Sequence, residues 1–194
     1  KKALAGVEFG LPPAPELAPR VASVLATVYL IFNEGYAATG GPAWARPELV
    51  DAAVRLGRLL QGLLPREAEV HGLTALMELQ ASRLPARELD GRPVLLPDQD
   101  RRRWDRLLIR RGLAALSLAG SLGGGSYTVQ AEIAACHARA RAHASTDWER
   151  VAALYEVLFH LRPSPVLRVN QAVAYGMAGD PARGLALVDA VAGE

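Results

Sequence analysis

The spacing of the apolar residues constrains the fold of this chain more than any other feature. In the first clear stretch, apolar side chains recur at intervals of one, three or four residues: Val21, Val24, Leu25, Val28, Tyr29 and Phe32. These intervals follow the 3.6-residue period of an α-helix, so the side chains share one helical face. The same period returns in seven later segments. We therefore predict an all-α fold of about eight antiparallel helices, stacked as helical hairpins.

Prolines, glycines and capping residues indicate where the predicted helices begin and end. We expect helices at about 21–35, 47–64, 67–84, 101–119, 127–142, 148–162, 166–177 and 181–192. Asp100 is the expected cap of the fourth helix, and Thr146 or Asp147 that of the sixth. Asp90 and Gly91 form a tight-turn signal, which predicts a short hairpin or extended loop within residues 86–99.

The distribution of prolines and glycines suggests three parts. Residues 1–20 contain four prolines, which disfavour a helix and predict an extended linker. Residues 21–120 are predicted to form one helical region, and residues 121–194 a second one packed on it. In that second region, Ala172, Tyr175, Gly179 and Gly184 match the small, aromatic, glycine and small positions of a tetratricopeptide hairpin. We therefore predict a tetratricopeptide-like final third.

Composition narrows the classes of function. Lys plus Arg is 22 and Asp plus Glu is 20, a net charge of +2, and nucleic-acid-binding domains usually have a clearer basic excess. The single cysteine, Cys136, permits no intrachain disulfide, which is typical of a reducing compartment. The longest apolar run, residues 21–32, is shorter than the roughly 20 residues of a membrane span. We expect a cytoplasmic protein without membrane contact.

The sequence contains no recognisable catalytic or cofactor-binding motif. Glu132 and Cys136 share a helical face but lack further ligands at metal-binding spacing. We expect no cofactor, no metal and no enzymatic activity, with the histidines solvated or hydrogen-bonded and Cys136 buried. Arg103, Arg106 and Arg110 are expected to form a basic stripe on the fourth helix. Two readings of this stripe remain open: contact with an acidic surface or nucleic-acid backbone, or a solvated face that pairs with nearby aspartates.

Several short segments, in order, resemble a known family. They are Tyr29-Leu30-Ile31-Phe32-Asn33-Glu34-Gly35-Tyr36, Gly72-Leu73-Thr74-Ala75-Leu76-Met77, Leu95-Leu96-Pro97-Asp98-Gln99-Asp100-Arg101, Trp104-Asp105, Tyr127-Thr128-Val129-Gln130-Ala131-Glu132-Ile133-Ala134-Ala135, Thr146-Asp147-Trp148, and Pro163-Ser164-Pro165-Val166 with Asn170. Together they resemble the tetratricopeptide-like C-terminal extension of a group of bacterial extracytoplasmic-function sigma factors.

This resemblance implies a regulatory domain of an RNA polymerase sigma factor, involved in transcription initiation and acting through protein contacts. The implied partners are the sigma core regions of the same chain, RNA polymerase and a DGPF-type protein. Promoter DNA would be contacted only through the sigma core, which this sequence lacks. The residues expected to make protein contacts are Asn33, Glu34, Tyr36, Asp98, Gln99, Asp100, Arg101, Trp104, Tyr127 and Asn170.

Two other functions remain open. One is a helical scaffold whose concave groove binds a peptide or ligand, as repeat proteins often do. A hidden enzyme would instead require a pocket in which two or more acid–base groups converge within hydrogen-bond distance.

Overall fold

The chain folds into eight α-helices and one small two-stranded sheet within residues 13–40, 45–89 and 91–192, the part described by a computed structural model. The helices are α1 (Ala14–Tyr36), α2 (Pro47–Leu63), α3 (Ala68–Ala81), α4 (Arg106–Ser121), α5 (Ser126–Arg139), α6 (Trp148–Leu161), α7 (Pro165–Met177) and α8 (Pro181–Ala192). Successive helices pack against each other along most of the chain. The predicted all-α fold is confirmed.

The first helix begins earlier than predicted. Residues 14–20, expected in an extended linker, form the first two turns of α1, whereas residues 1–12 lie outside the described part of the chain. Pro15 stands in the first turn, where its missing N–H would have no helical partner in any case. Pro19 lies inside the helix and removes one hydrogen bond. The helix continues through Pro19 because Leu25, Val28 and Phe32 bury one of its faces further along.

Helix α3 is the centre of the first helical region. Eleven of its 14 residues are buried, from Val70 to Leu79 without interruption and then Ala81. Helices α1, α2, α4 and α5 all pack against it. Close approach needs small residues: a Cβ atom on Gly112 of α4 would lie 2.8 Å from Cγ of Leu79. Helix α3 has buried residues on all of its sides, and its four neighbouring helices enclose it.

The segment between α3 and α4 contains the predicted hairpin. Strands β1 (Glu88–Leu89) and β2 (Arg92–Pro93) pair antiparallel. Gly91 has φ of 75°, a backbone conformation that suits glycine, and Asp90 lies outside the described residues. Short 3₁₀ turns at Leu84–Ala86, Leu96–Asp98 and Arg101–Arg103 complete the segment.

The start of α4 differs from the prediction. Asp100 does not cap α4, because its side chain accepts the N–H of Arg102 and caps the 3₁₀ turn Arg101–Arg103. Asp105 caps α4 instead, by accepting the N–H groups of Leu107 and Leu108. The expected basic stripe is therefore wrong: Arg103 lies in the 3₁₀ turn, and only Arg106 and Arg110 belong to α4.

The final third consists of three helices, α6 to α8, each packed on the next, and its likeness to tetratricopeptide hairpins stays a prediction. Gly179 has φ of 95° in the turn between α7 and α8. Gly184 allows these helices to touch, since a Cβ atom there would lie 2.6 Å from the carbonyl oxygen of Ala172. Asp147 caps α6 by accepting the N–H of Arg150. A second, smaller core of Ile133, Cys136, Val151, Ala152, Leu154, Leu158 and Ala174 joins α5, α6 and α7.

Candidate protein-contact surfaces

Glu34, predicted as a contact residue together with Asn33, holds the loop that follows α1. The Glu34 carboxylate accepts the backbone N–H and the hydroxyl of Thr39, at 3.2 and 2.8 Å, and pairs with Arg46 at 3.1 Å. The hydrogen bonds from Thr39, with a smaller contribution from Arg46, lower the pKa of Glu34. The carbonyl of Asn33 accepts the N–H of Ala37 at the end of the helix. Both residues thus have local structural partners.

Tyr36 packs under an arginine from the segment before the hairpin. The guanidinium carbon of Arg87 lies 3.6 Å from the centroid of the Tyr36 ring, and the same side chain donates to the Tyr36 carbonyl. Burial lowers the pKa of Arg87. Because a cation over an aromatic face is stabilised when water is excluded, this contact fixes the end of α1 against the segment 84–89.

Five of the predicted contact residues lie close together in the chain, and part of this group is buried: Asp98, Gln99, Asp100, Arg101 and Trp104. Gln99 is 6% exposed, with its amide donating to the carbonyl of Val94 and accepting from Arg83. Trp104 is 3% exposed, and the guanidinium of Arg101 lies 4.5 Å from its ring centroid. Asp98 and Asp100 are exposed.

Three of the predicted contact residues cannot offer their side-chain area to a partner. Gln99 and Trp104 are enclosed as described, and Tyr127 is 7% exposed because its ring packs edge-to-face on Tyr29 at 5.5 Å. Aromatic residues contribute to both interiors and interfaces, and sequence alone does not separate the two roles. The contact prediction for these three residues is wrong.

A cleft of about 310 Å³ lies between the two helical cores and contains the predicted residue Asn170. Its lining side chains come from α1, α3, α5, α6 and α7 and from the hairpin segment. The polar side chains among them are Tyr29, Gln80, Arg83, Gln130, His137, Tyr155 and Asn170. No carboxylate lines the cleft, so its polar character is that of amides, hydroxyls, one imidazole and one guanidinium. Such groups pair with peptide amides without a charge requirement.

His137 is the most strongly perturbed titratable group of the cleft. Burial, together with the charges of Arg83 and Arg101 and the neighbouring His143, lowers its pKa to about 4. The His137 and His143 rings both pack edge-to-face on Trp148, with centroids 5.3 and 5.2 Å from it. His137 is therefore neutral at physiological pH, and its buried Nδ1 atom has no hydrogen-bond partner among the described residues.

A second hollow, beside α3, contains a buried carboxylate. Glu78 is 2% exposed and pairs with Arg58 at 2.8 Å, while burial raises the pKa of Glu78. His71 lines the same hollow, with Nδ1 3.1 Å from the Gln61 amide nitrogen and Nε2 3.0 Å from the Pro65 carbonyl. These partners fix both groups within the fold, and no hydrogen bond joins Glu78 to His71.

Exposed apolar stripes run along each of the last three helices. On α7 the side chains of Val166, Val169, Val173 and Met177 are 66%, 42%, 59% and 45% exposed. On α6 and α8, the exposed apolar residues are Val157, Leu161, Leu185 and Val188. Large exposed apolar side chains at helical spacing are typical of surfaces that bind another protein segment. We call these eight residues the C-terminal apolar surface.

One sequence pattern indicates this surface. The spacing of Val166, Val169, Val173 and Met177 defines a helical face, but a face is interpreted as core by default. The opposite face of α7, with Ala172 and Ala174, is the one that packs inward. Helix α7 therefore has apolar residues on two faces. Since only one face packs inward, the other is available for contact.

Within the described ranges, no helix combines the length and apolar composition that a bilayer span requires. No cluster of three or more potential metal ligands occurs there either.

Known proteins place the chain in a family. An uncharacterized protein of Rhizobium meliloti (strain 1021), R00370, is 47% identical to the chain over 189 residues. This alignment covers 96% of the chain and 45% of the relative, so the chain spans less than half of the relative's length. No solved structure gives a significant match. A family model described as a family of unknown function (DUF6596) matches residues 20–120, more than half of the 194 residues, and the chain therefore belongs to this family.

Proposed function

We propose that this chain is the regulatory C-terminal region of an RNA polymerase sigma factor and acts through protein–protein contacts in the cytoplasm. The ordered segments that resemble the extension of extracytoplasmic-function sigma factors support the identity. The relative from Rhizobium meliloti supports the proposal that such a region is joined to further regions, because more than half of its length lies outside the region that matches this chain. That remaining length has room for the sigma core regions.

The C-terminal apolar surface is the observation that carries the contact function. Leaving a large aliphatic side chain in water forgoes up to about 1.5–3 kcal/mol relative to burial, and eight such side chains stand exposed on three consecutive helices. A partner that covers them gains this free energy. The sigma core regions, RNA polymerase and a DGPF-type protein are the proposed partners.

The first experiment tests the identity with the full-length Rhizobium meliloti relative. We expect the purified relative to bind RNA polymerase core enzyme in size-exclusion chromatography and to start transcription from a subset of promoters. Deletion of the region that matches this chain should change the amount of transcript. A relative that neither binds core enzyme nor starts transcription would contradict the proposal.

The second experiment locates the contact. The chain is immobilised and probed with core enzyme and, separately, with the segment of the relative outside the matched region, checked for folding by circular dichroism. Val157→Glu, on the C-terminal apolar surface, should weaken binding about tenfold or more, since it buries an unpaired charge. Val24→Glu is the matched control, because Val24 is similarly exposed (44% against 48%) but lies on α1. Equal effects of the two substitutions would exclude the C-terminal apolar surface as the contact.

The cleft favours a second candidate function, a scaffold that binds an extended peptide. Gln80, Gln130 and Asn170 present amides around a concave space. Asn170 is exposed, so Asn170→Leu should leave folding intact while removing one hydrogen-bonding group from the cleft. If Asn170→Leu abolishes the binding of a partner and Val157→Glu does not, the contact lies in the cleft.

A further inference from the structure

A pocket of about 350 Å³ lies beside the C-terminal end of α5 and contains four arginines. It is formed where the 3₁₀ turn Arg101–Arg103 and the start of α4 meet the last turn of α5. The residues that line it are Arg101, Trp104, Arg106, Ala138, Arg139, Ala140 and Arg141. The lining includes no carboxylate, which is unusual for four cations gathered at one place.

Arg101 lines this pocket, and only part of its hydrogen-bonding capacity is satisfied. Its Nη1 atom donates to the carbonyl oxygens of His137 and Ala140, at 2.5 and 3.0 Å, and so satisfies the end of α5. Its Nη2 atom is buried and has no acceptor. Burial, followed by the charge of Arg83, lowers the pKa of Arg101. This side chain forms no ion pair within the described residues, so its charge is left uncompensated by any acid there.

Trp104 supplies a second donor without an acceptor. The side chain is 3% exposed, and its Nε1–H is buried and unpaired. Buried indole N–H groups normally find an acceptor, because an unpaired buried donor costs about 1–3 kcal/mol. Two neighbouring residues of one pocket therefore each hold a donor that lacks an acceptor.

The rim of the pocket adds further positive charge. Arg106 and Arg141 are exposed and form no ion pair in the part of the chain that the structure describes. Arg139 pairs with Glu132 at 3.4 Å on the outside of α5. Three of the four arginines thus lack an acidic partner within the fold, and the pocket has a local charge that the net charge of +2 does not reveal.

We propose that this arginine pocket binds a phosphate group, free or carried by a small molecule. Guanidinium groups present planar pairs of donors that match phosphate oxygens, and a phosphate offers several acceptors to one site. A phosphate carries close to two negative charges near neutral pH, which suits three unpaired cations better than the single charge of a carboxylate. This site is separate from the C-terminal apolar surface and does not depend on the function proposed above.

Titration calorimetry of the full chain with inorganic phosphate tests the proposal, at constant ionic strength adjusted with sodium chloride. We expect saturable binding of one phosphate per chain. The double substitution Arg106→Gln/Arg141→Gln removes two exposed cations of the rim and should weaken binding about tenfold or more. Arg92→Gln/Arg110→Gln is the matched control: it changes the net charge equally, and both residues are exposed and lie outside the pocket.

The outcomes separate the site from general charge attraction. Equal weakening by the two double substitutions, or no saturable binding to the wild-type chain, would overturn the proposal. Acetate that binds as tightly as phosphate would overturn the assignment to phosphate. Adenosine monophosphate is the third ligand tested. If it binds more tightly than inorganic phosphate, the ligand is a phosphorylated small molecule. If the two bind equally, the site recognises the phosphate group alone. Either result supports the site.

Discussion

The two helical regions bury their apolar residues to very different extents. In the first, α1 to α5 enclose a core of 20 buried residues around α3. In the last, α6 to α8 have a small core shared with α5, and α8 buries only Gly184. Both regions have similarly apolar helices, so composition does not explain the difference. Both regions leave large apolar side chains exposed, so the difference lies in the size of the core that each region encloses.

Helix α5 belongs to both regions. At its beginning, the Glu69 carboxylate from α3 accepts the N–H groups of Tyr127 and Thr128 at 2.9 and 3.1 Å. Toward its end, His137 packs on Trp148 of α6. Substitutions at the two ends of α5 therefore test the two regions separately.

The largest expected effect is a cavity in the first core. Leu73 of α3 is fully buried, and Leu73→Ala should lower the free energy of unfolding by about 3–5 kcal/mol. Leu154→Ala in α6, where the side chain is 6% exposed and the core is smaller, should cost about 2–3 kcal/mol because the site can relax more. Urea unfolding of both variants measures the difference. A larger loss for Leu154→Ala would reverse the comparison of the two cores.

The next effect concerns pH and the second core. The folded chain holds His137 neutral with a pKa of about 4, against about 6.5 for a free side chain. The unfolded chain thus binds this proton first as pH falls, so the stabilisation is complete above pH 6.5 and is lost between pH 6.5 and 4. We expect a loss of about 2 kcal/mol between pH 7 and pH 5. His137→Gln should remove this part of the slope in urea unfolding, and an unchanged slope would contradict the assignment.

The third prediction tests how α5 is fixed to the first region. Gly125, at the beginning of α5, offers no side chain, so Glu69 provides the cap from a distance of more than 50 residues. Glu69→Ala should cost about 1–2 kcal/mol, because it leaves N–H groups of the first turn without an acceptor. Glu69→Gln retains one acceptor oxygen and should recover part of this loss. Equal stability of the alanine variant and the wild type would show that the cap is dispensable.

The smallest expected effect is on the C-terminal apolar surface. Val157→Ser and Val24→Ser should each change the free energy of unfolding by less than about 0.5 kcal/mol, since both side chains are largely exposed. A loss above about 1 kcal/mol for Val157→Ser would show that this surface is part of the structure itself and not free for a partner.

The helical period predicted all eight helices because burial of one face is a local property of the sequence. The match of Ala172, Tyr175, Gly179 and Gly184 to a tetratricopeptide hairpin also predicted the turn at Gly179, where φ of 95° favours glycine. The start of α1 escaped prediction because proline signals are local, whereas the packing that carries α1 through Pro19 is not. The helical period likewise does not predict that α3 lies at the centre, since the identity of its neighbours depends on the whole fold.

The candidate sites were less predictable than the fold. Trp104 and Tyr127 were expected at a surface, but tertiary packing encloses both. Arg83 and His137, which line the cleft, come from segments more than 50 residues apart and share no motif. The arginine pocket joins Arg101 and Arg106 to the end of α5, and only the folded chain brings these charges together. Sites formed by distant segments leave no pattern in a linear sequence.

The enclosure of α3 also determines how the molecule can open. Its backbone amides lie under four neighbouring helices, so their hydrogens can exchange with solvent only when several helices separate at once. Amide hydrogen exchange in α3 should consequently measure global unfolding. The amides of α8 should exchange through local fraying of that helix alone. Proteolytic cleavage within α3 should therefore require unfolding of the whole first region, whereas cleavage near α8 should leave that region intact.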